Sequence, residues 1–409
     1  MEFLKVDSIE SARSKLLASA GDWLAAEENI PIEEAVGRVA AEDVFAAQAL
    51  PAFRRSAVDG YALLCGDTAA AGESIPAFLT LKGRVEMGCA AALSIGPGEC
   101  VEVFTGGMLP EGADAVVMVE YTEPFGGEGI AVSQSVAHGE NVVEPGEDMR
   151  AGDLLLGRGR RILPQDIGAL AGAGVTSVLV YAPPKVTILS TGDELVPPEQ
   201  CPKPGQVRDI NTHALRALAQ RHGLLVVDTR VLPDHPAALE EAVRAGMKSS
   251  EVVIVSGGSS KGKKDMTRAV FDRVAAPGVY THGIAVKPGK PTILGHDEAS
   301  QTLLVGLPGH PVSAMMVFEL TLGWLLGRVR GTPLPPAIPA RLTCNLASSP
   351  GKLTCWPCTL SEEGGAYRAT PVFGKSGLIT TLTRADGYFA APREAEGLRA
   401  GQAVMVRLF

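Results

Sequence analysis

Four short apolar runs, at 186–189, 224–227, 252–255 and 303–305, are each followed by a segment of helical period, at 212–222, 236–245, 266–274 and 312–326. Strands apolar on both faces must be covered on both faces, and strand–helix alternation brings successive strands into parallel register. The pattern predicts a buried, mostly parallel, doubly wound α/β sheet over 183–330. Ligands of such sheets sit beyond the carboxyl ends of the strands. The loops after Leu189, Val255 and Val305 are therefore where chemistry is expected.

A chain of 409 residues exceeds one ordinary core,. Ser8 is placed to cap a helix over 9–20 with Leu16 and Leu17 on its apolar side, and a short helix follows at 32–36,. From 50 to 143 the character changes to short alternating segments, such as 78–81 and 100–104, separated by Gly and Pro turns,. That reads as a β domain inserted into a helical/β linker domain formed by 1–49 and 144–182, with a helix at 161–174 whose start holds Pro164. Ala182-Pro183-Pro184 marks a boundary, and prolines 333, 335, 336 and 339 mark an extended linker,. The remainder of 331–409 reads as short strands, a small C-terminal β domain. The fold class expected is multi-domain, α/β plus β.

Composition narrows the function classes. Hydrophobic residues make up 46% and charged residues 20%, enough apolar material for sizeable cores,. Lys and Arg number 37 against 46 Asp and Glu, a net charge of −9, which excludes broad nucleic-acid binding but leaves room for a local anion pocket,. No uninterrupted apolar run reaches the roughly 20 residues that cross a bilayer, and residues 1–7 lack the features of a secretion signal,. Seven scattered cysteines form no disulfide framework,. The expectation is a cytoplasmic protein with no membrane partner.

Ser190-Thr191-Gly192-Asp193-Glu194-Leu195 follows the first strand. Carboxylates there suit a divalent ion such as Mg²⁺, which takes one or two protein oxygens. The same residues also suit a turn whose Asp bonds its own backbone. The segment from Ser256 through Gly257, Gly258, Ser259, Ser260, Lys261, Gly262, Lys263 and Lys264 to Asp265 carries glycines that let backbone N–H groups approach an anion,. Its phosphate-loop spacing fails because Lys264 stands where Ser or Thr must hold Mg²⁺. A serine-hydrolase elbow fails because the loop continues instead of turning into a helix. Asp265 also suits the cap of a helix starting at Met266. Lys287-Pro288-Gly289-Lys290-Pro291 sets two ammonium groups on a stiff turn, suited to an oxyanion,. Leu307-Pro308-Gly309-His310-Pro311-Val312-Ser313 opens a helix, either shaping a ligand or simply turning the chain; Asp234 before Pro236 is either functional or a cap,. Cys355-Trp356-Pro357-Cys358 lacks a second pair for zinc and a helix start for redox work, and reads as strand,.

Taken in order, these segments resemble the MoeA / gephyrin E-domain family of molybdopterin molybdenumtransferases. The resemblance runs through Leu50 to Ala62 with Ser56-Ala57-Val58-Asp59-Gly60-Tyr61-Ala62, Thr105-Gly106-Gly107 with Ala113 to Val117, and Gly146-Glu147-Asp148. It continues through Ser190 to Leu195, Asp209-Ile210-Asn211, Ser256-Gly257-Gly258, Lys287 to Pro291, Leu307 to Ser313, Ser376-Gly377-Leu378 and Ala385-Asp386-Gly387.

What the resemblance implies is specific. The central domain would be of molybdopterin-binding type and the C-terminal domain barrel-like. The linker domain would serve dimerisation in a homodimer, with the cleft formed between the α/β domain of one subunit and the inserted β domain of the other. The reaction would join molybdate to adenylylated molybdopterin, releasing AMP with Mg²⁺ as cofactor. Carried over by position, Glu194, Asp234, Asp265 and Asp59 would be catalytic, with Glu194 and Asp265 at the metal. Thr105, Gly257, Gly258, Ser260, Lys287, Lys290, Pro291, Pro308, Pro311, Ser313, Lys352 and Thr381 would bind the substrates. The molybdopterin adenylyltransferase and apo-molybdoenzymes are further partners it suggests. Departures from the family pattern are Ser259, Lys261, Lys263 and Lys264 in the glycine loop, Gly283 in place of a lysine, and Lys352 and Thr381 where relatives carry Arg and Ser. Rival readings are adenylyl transfer to molybdopterin, a tungstate-preferring paralogue and a non-catalytic scaffold.

Overall fold

The computed structural model describes residues 6–257, 264–330 and 337–409, with Asp22, Lys264 and Asp265 described by their backbone alone. At its centre is a six-stranded sheet. In chain order its strands are β1 (Lys185–Thr191), β2 (Leu225–Leu232), β3 (Val252–Gly257), β4 (Pro277–His282), β5 (Ile293–Asp297) and β6 (Thr302–Leu307), and in space they run β2-β1-β3-β6-β5-β4. The pairs β1/β2, β1/β3 and β3/β6 are parallel, while β5 and β4 add an antiparallel edge. The sheet is doubly wound, as the strand–helix alternation requires.

Period-two alternation divides each strand between two cores. Ile188 and Ile254 face one side, against Leu215 of α3 (Asn211–Arg221) and the helices that close the domain. Leu189, Val253 and Val255 face the other, against Leu239 and Val243 of α4 (Pro236–Ser249) and Phe271 of α5 (Lys264–Val274). Leu215 has no exposed surface; truncating such a residue to Ala costs about 2–5 kcal/mol. α1 (Ile9–Ala18) belongs to the 1–49 segment, yet its Ile9, Ala12 and Leu16 join the first of these cores. Ser8 caps it by accepting a bond from the Ser11 N–H. Leu17, expected on the apolar side, is 39% exposed instead. Its neighbour Leu16 takes the buried position, so the stripe is narrower than the sequence suggested.

The helix that closes the α/β unit is a 19-residue rod, Pro311–Val329. It consists of α6 (Pro311–Phe318), a π turn (Glu319–Gly323) and α7 (Trp324–Val329). By length and composition it could cross a membrane, a feature that counting uninterrupted apolar residues did not reveal. Two-thirds of it (67%) is buried inside the protein, so packing accounts for its apolar character.

The linker forms from both sides of the insertion: Glu27–Pro31 pairs antiparallel with Ser177–Tyr181, and α2 (Pro164–Gly172) packs beneath with Pro164 at its first position. The 32–36 helix is a single 3₁₀ turn, Ile32–Glu34. Between these segments the 50–143 stretch folds into its own six-stranded sheet with separate cores. At the C-terminus, Leu353–Glu363, Ala366–Pro371, Ile338–Leu342, Ala403–Leu408 and Gly387–Ala391 pair in that order, and the last pairs back to the first, closing a five-stranded barrel. Cys355 and Cys358 lie within its first-named strand, both buried.

Candidate active site

The sheet reverses its winding between β1 and β3, because β2 lies on one side of β1 and β3 on the other. A crevice opens at such a point. Here it is a pocket of about 430 Å³ lined by Thr191 at the end of β1, Gly257 at the end of β3 and Asp234 beyond β2. Asn211 and Pro311, the first residues of α3 and α6, also line it. Two helix N-termini thus converge on one space, each presenting a positive dipole end to an anion.

The walls are fixed by short polar contacts. Asn211 Nδ2 donates to Ser256 Oγ at 2.8 Å and to the Gly309 carbonyl at 2.9 Å, tying β3, α3 and α6 together. Ser190 and Thr212 share a buried hydroxyl contact at 2.7 Å. The Asp234 N–H donates to Asp193 Oδ1 at 3.0 Å, so the Asp193 turn is braced by the neighbouring loop. Asp209 accepts from the Thr212 N–H through Oδ1 at 3.1 Å, while its Oδ2 is buried with no hydrogen-bond partner. Thr191 Oγ1 is likewise buried and unpartnered. A buried polar atom left unsatisfied costs about 1–3 kcal/mol, so two on one pocket wall mark a surface arranged for a ligand. Glycine is required beside them: Gly257 has φ +124°, and a Cβ there would fall 2.3 Å from the Thr191 carbonyl oxygen.

Glu194 lines the mouth of this pocket; its carboxylate folds over Gly192, where a Cβ would come within 2.8 Å of it. Asp234 lines it too and is not the cap of α4, a position taken by His235. Asp265 lies in the first turn of α5, which begins at Lys264, and is therefore not its cap. Gly258 and Ser260 fall outside the described residues, as do the rest of 258–263 and linker residues 331–336. Pro311 lines the pocket; Pro308 and Ser313 are buried around the start of α6.

The lysines stand elsewhere. Lys290 and Lys352 share a separate groove of about 230 Å³ with Arg393, and Lys287 Nζ donates to Ser349 Oγ at 2.9 Å. Val286–Lys287 pairs in parallel with Leu353-Thr354, which brings the barrel's Lys352 to the Lys287–Pro291 turn. α6 lies between groove and pocket: Pro311 lines the pocket, while a Cβ on Gly289 of the lysine turn would fall 3.8 Å from the Ser313 carbonyl. The acids and lysines thus occupy two adjoining depressions among the described residues, a correction to the expectation of one. The cause is α6 itself, whose packing on the Lys287–Pro291 turn fills the space between. Pro291 is half-buried at the end of that turn, and Thr381 is buried in a short helical turn against Gly374, outside both depressions.

Asp59 and Thr105 lie on the surface of the inserted β domain, outside both depressions. Asp59 accepts from the Thr105 N–H at 2.7 Å and from its hydroxyl at 2.8 Å, and these bonds hold its carboxyl below the usual carboxylate range. Thr191, Asp209, Asn211 and His310 stood within the quoted motifs but were given no role of their own. Asp209 and Asn211 stand just before and at a helix N-terminus on a strand-end loop, the signal that could have found them. His310 Nδ1 meets Ser376 Oγ at 2.8 Å and the Val312 N–H donates to the Ser376 carbonyl at 3.1 Å, so the barrel domain's 376–378 turn walls the pocket.

A strand-end crevice at the reversal of a doubly wound sheet, faced by two helix N-termini and rimmed with acids, marks an α/β protein whose pocket lies where such folds bind their ligands. Family models extend the description across the chain: "MoeA N-terminal region (domain I and II)" matches residues 7–174, "Probable molybdopterin binding domain" 187–327 and "MoeA C-terminal region (domain IV)" 339–409. A molybdopterin molybdenumtransferase of Haemophilus influenzae is 31% identical over 98% of this chain and 98% of its own length. One of Bacillus subtilis is 32% identical over 93% and 89%. A crystal structure of a molybdopterin biosynthesis protein from Pyrococcus horikoshii superposes with a TM-score of 0.81 at 30% identity, covering 99% of this chain and 100% of that one. The chain belongs to the MoeA family.

Proposed function

We propose that the protein acts in molybdenum cofactor biosynthesis, joining molybdate to adenylylated molybdopterin with release of AMP. The observation that carries this reading is the pair of unsatisfied buried atoms, Thr191 Oγ1 and Asp209 Oδ2, between two helix N-termini at the strand ends. The positive ends of α3 and α6 attract phosphate oxygens, and Thr191 Oγ1 donates the bond it otherwise lacks. Glu194 and Asp234 orient the water that attacks the phosphoanhydride, whose cleavage yields AMP and the phosphorylated pterin.

Mg²⁺ suits this donor set. No group of three His, Cys, Asp or Glu able to hold a metal stands together among the described residues, but Mg²⁺ needs only one or two carboxylates beside substrate phosphates and water. Glu194 and the free Asp209 oxygen supply them, and Asp265 joins them in the reading from resemblance. When bound, the ion supplies charge neutralisation at the anhydride. Lys290 and Lys352 of the adjoining groove, with Lys287 beside it, hold molybdate until the two dithiolene thiols displace one of its oxygens, which leaves as water with their two protons.

The same reading includes a homodimer in which Asp59 and Thr105 of one subunit face the pocket of the other. It keeps the division into 1–49 with 144–182, 50–143, 183–330 and 331–409, and a cytoplasmic location, which the seven unpaired cysteines support. The test is AMP release from adenylylated molybdopterin. Release should require both molybdate and Mg²⁺; ATP consumption with molybdopterin as acceptor would overturn insertion in favour of adenylyl transfer.

A further inference from the structure

α3 and the α6–α7 rod each begin at the acidic pocket and end at a second cavity, of about 490 Å³. Its walls come from the linker, the α/β unit and the last strand of the barrel. Among the described residues, five arginines line it against a single acidic side chain, Glu319. Glu319 is already engaged, pairing with Arg221 and with His222 Nε2 at 2.9 Å.

Of the others, Arg330, Arg161 and Arg38 donate to neutral carbonyls, while Arg407 bonds Tyr388. Arg330 is only 5% exposed; its Nη2 donates to the Ala182 carbonyl at 2.9 Å and its Nε is buried with no partner. Arg161 Nη1 donates to the Gly37 carbonyl at 2.8 Å, and Arg38 Nη2 to the Tyr181 carbonyl at 2.8 Å. Arg38 alone of these three has an acid beside it, Glu28, outside the cavity lining. Burial first, then the charges of Arg38 and Arg161, bring the Arg330 guanidinium down to about 10. A bland alternative is that arginines complement helix C-termini. That accounts for Arg221 and Arg330, which end α3 and follow α7, but not for Arg38 and Arg161, which reach in from the linker. A buried guanidinium without a counter-charge is costly, and an incoming anion is what would offset it.

The rest of the lining is flat and apolar. Tyr181 lies under Arg330, whose guanidinium carbon is 5.9 Å from the ring centroid, while Trp324, Tyr388 and Phe409 supply further ring surface. Guanidinium groups and aromatic faces together receive a planar body bearing an oxyanion. We infer that this cavity is a second ligand site, taking a small aromatic molecule that carries a phosphate or carboxylate. Its oxyanion meets Arg330 and Arg161, and its ring lies along the aromatic wall. The inference is independent of the reaction proposed above.

The experiment is calorimetric titration of the full-length protein with phenyl phosphate, benzoate and inorganic phosphate. At least one aromatic anion should bind saturably, with inorganic phosphate about 10-fold weaker or more, a difference near 1.4 kcal/mol; phenyl phosphate against benzoate identifies the preferred head group. Arg330→Met and Arg161→Glu should each weaken binding by about 10-fold. Arg161 is exposed, so its variant tests the site without touching the core, and a thermal melt confirms folding of both. Asp209→Asn, in the acidic pocket, should leave binding unchanged. Absence of saturable binding by both aromatic anions, equal affinity for inorganic phosphate, indifference to Arg161→Glu, or loss with Asp209→Asn would each overturn the inference.

Discussion

Gly257 presses its α-carbon against Thr191: an added methyl would sit 2.3 Å from the Thr191 carbonyl oxygen and 2.7 Å from its hydroxyl. With φ at +124°, the backbone there also suits glycine alone,. Gly257→Ala should destabilise the protein by about 1–3 kcal/mol and displace the Thr191 hydroxyl from the pocket wall. Thermal unfolding and AMP release should fall together; a variant with unchanged melting and turnover would contradict the close packing.

Asp209 divides its two oxygens between structure and pocket. Asp209→Asn keeps the Oδ1 bond to the Thr212 N–H and removes the charge at Oδ2, so the fold should survive while AMP release drops at least tenfold. Asp209→Ala should also lose the Oδ1 bond to the Thr212 N–H, worth about 1 kcal/mol,. Comparing kcat with melting temperature for the two variants separates the roles, and a fully active Asp209→Asn enzyme would remove Asp209 from the site.

The Asp59 carboxyl is held low by two bonds from Thr105. A depressed folded-state value stabilises the fold above the unfolded carboxylate range, and that contribution disappears as pH falls through the folded value. Thr105→Val removes the hydroxyl bond and keeps the backbone one. Asp59 should then titrate at higher pH, as followed by carboxyl-carbon NMR; an unmoved titration would show that the hydroxyl contributes nothing.

Lys287 is exposed and makes its hydrogen bond to Ser349 across the junction with the barrel. Lys287→Ala should change stability by less than about 0.5 kcal/mol, as surface substitutions do. Its effect should appear as a raised KM for molybdate. Unaltered KM for molybdate would move the oxyanion out of this groove.

Cys355 and Cys358 are buried in the barrel, and burial pushes both thiols up to about 12. Cys89 and Cys201 are exposed. Only thiolates alkylate readily, so iodoacetamide at pH 8 should modify Cys89 and Cys201 while sparing the barrel pair, as read by peptide mass spectrometry. Rapid labelling of Cys355 in the folded protein would mean that the barrel opens.

The central sheet was legible because its strands are apolar on both faces, a property each run displays locally. Cys355 and Cys358 were legible as strand for a similar reason: neither zinc nor redox chemistry had the companions it needs. Closure of the barrel was not legible, since it depends on Leu353–Glu363 pairing with Gly387–Ala391, a register set by packing between distant segments. Asp209 was quoted only as part of a family segment and given no role; it accepts from the Thr212 N–H through Oδ1, and only three dimensions reveal that Oδ2 is left over. Grouping Glu194 with Lys287 failed for a comparable reason. Their order along the chain says nothing of the helix that the fold inserts between them.

The π turn at Glu319–Gly323 carries one residue more than an α-helical turn would hold,. That surplus residue is absorbed within the wider turn, so deleting it would restore α geometry with little rotation of Trp324–Val329. A residue added or removed in the α-helical part instead would turn everything beyond it by about 100° and carry Arg330 away from the Ala182 carbonyl it bonds. The rod can therefore change length at one place only without breaking its contact with the linker.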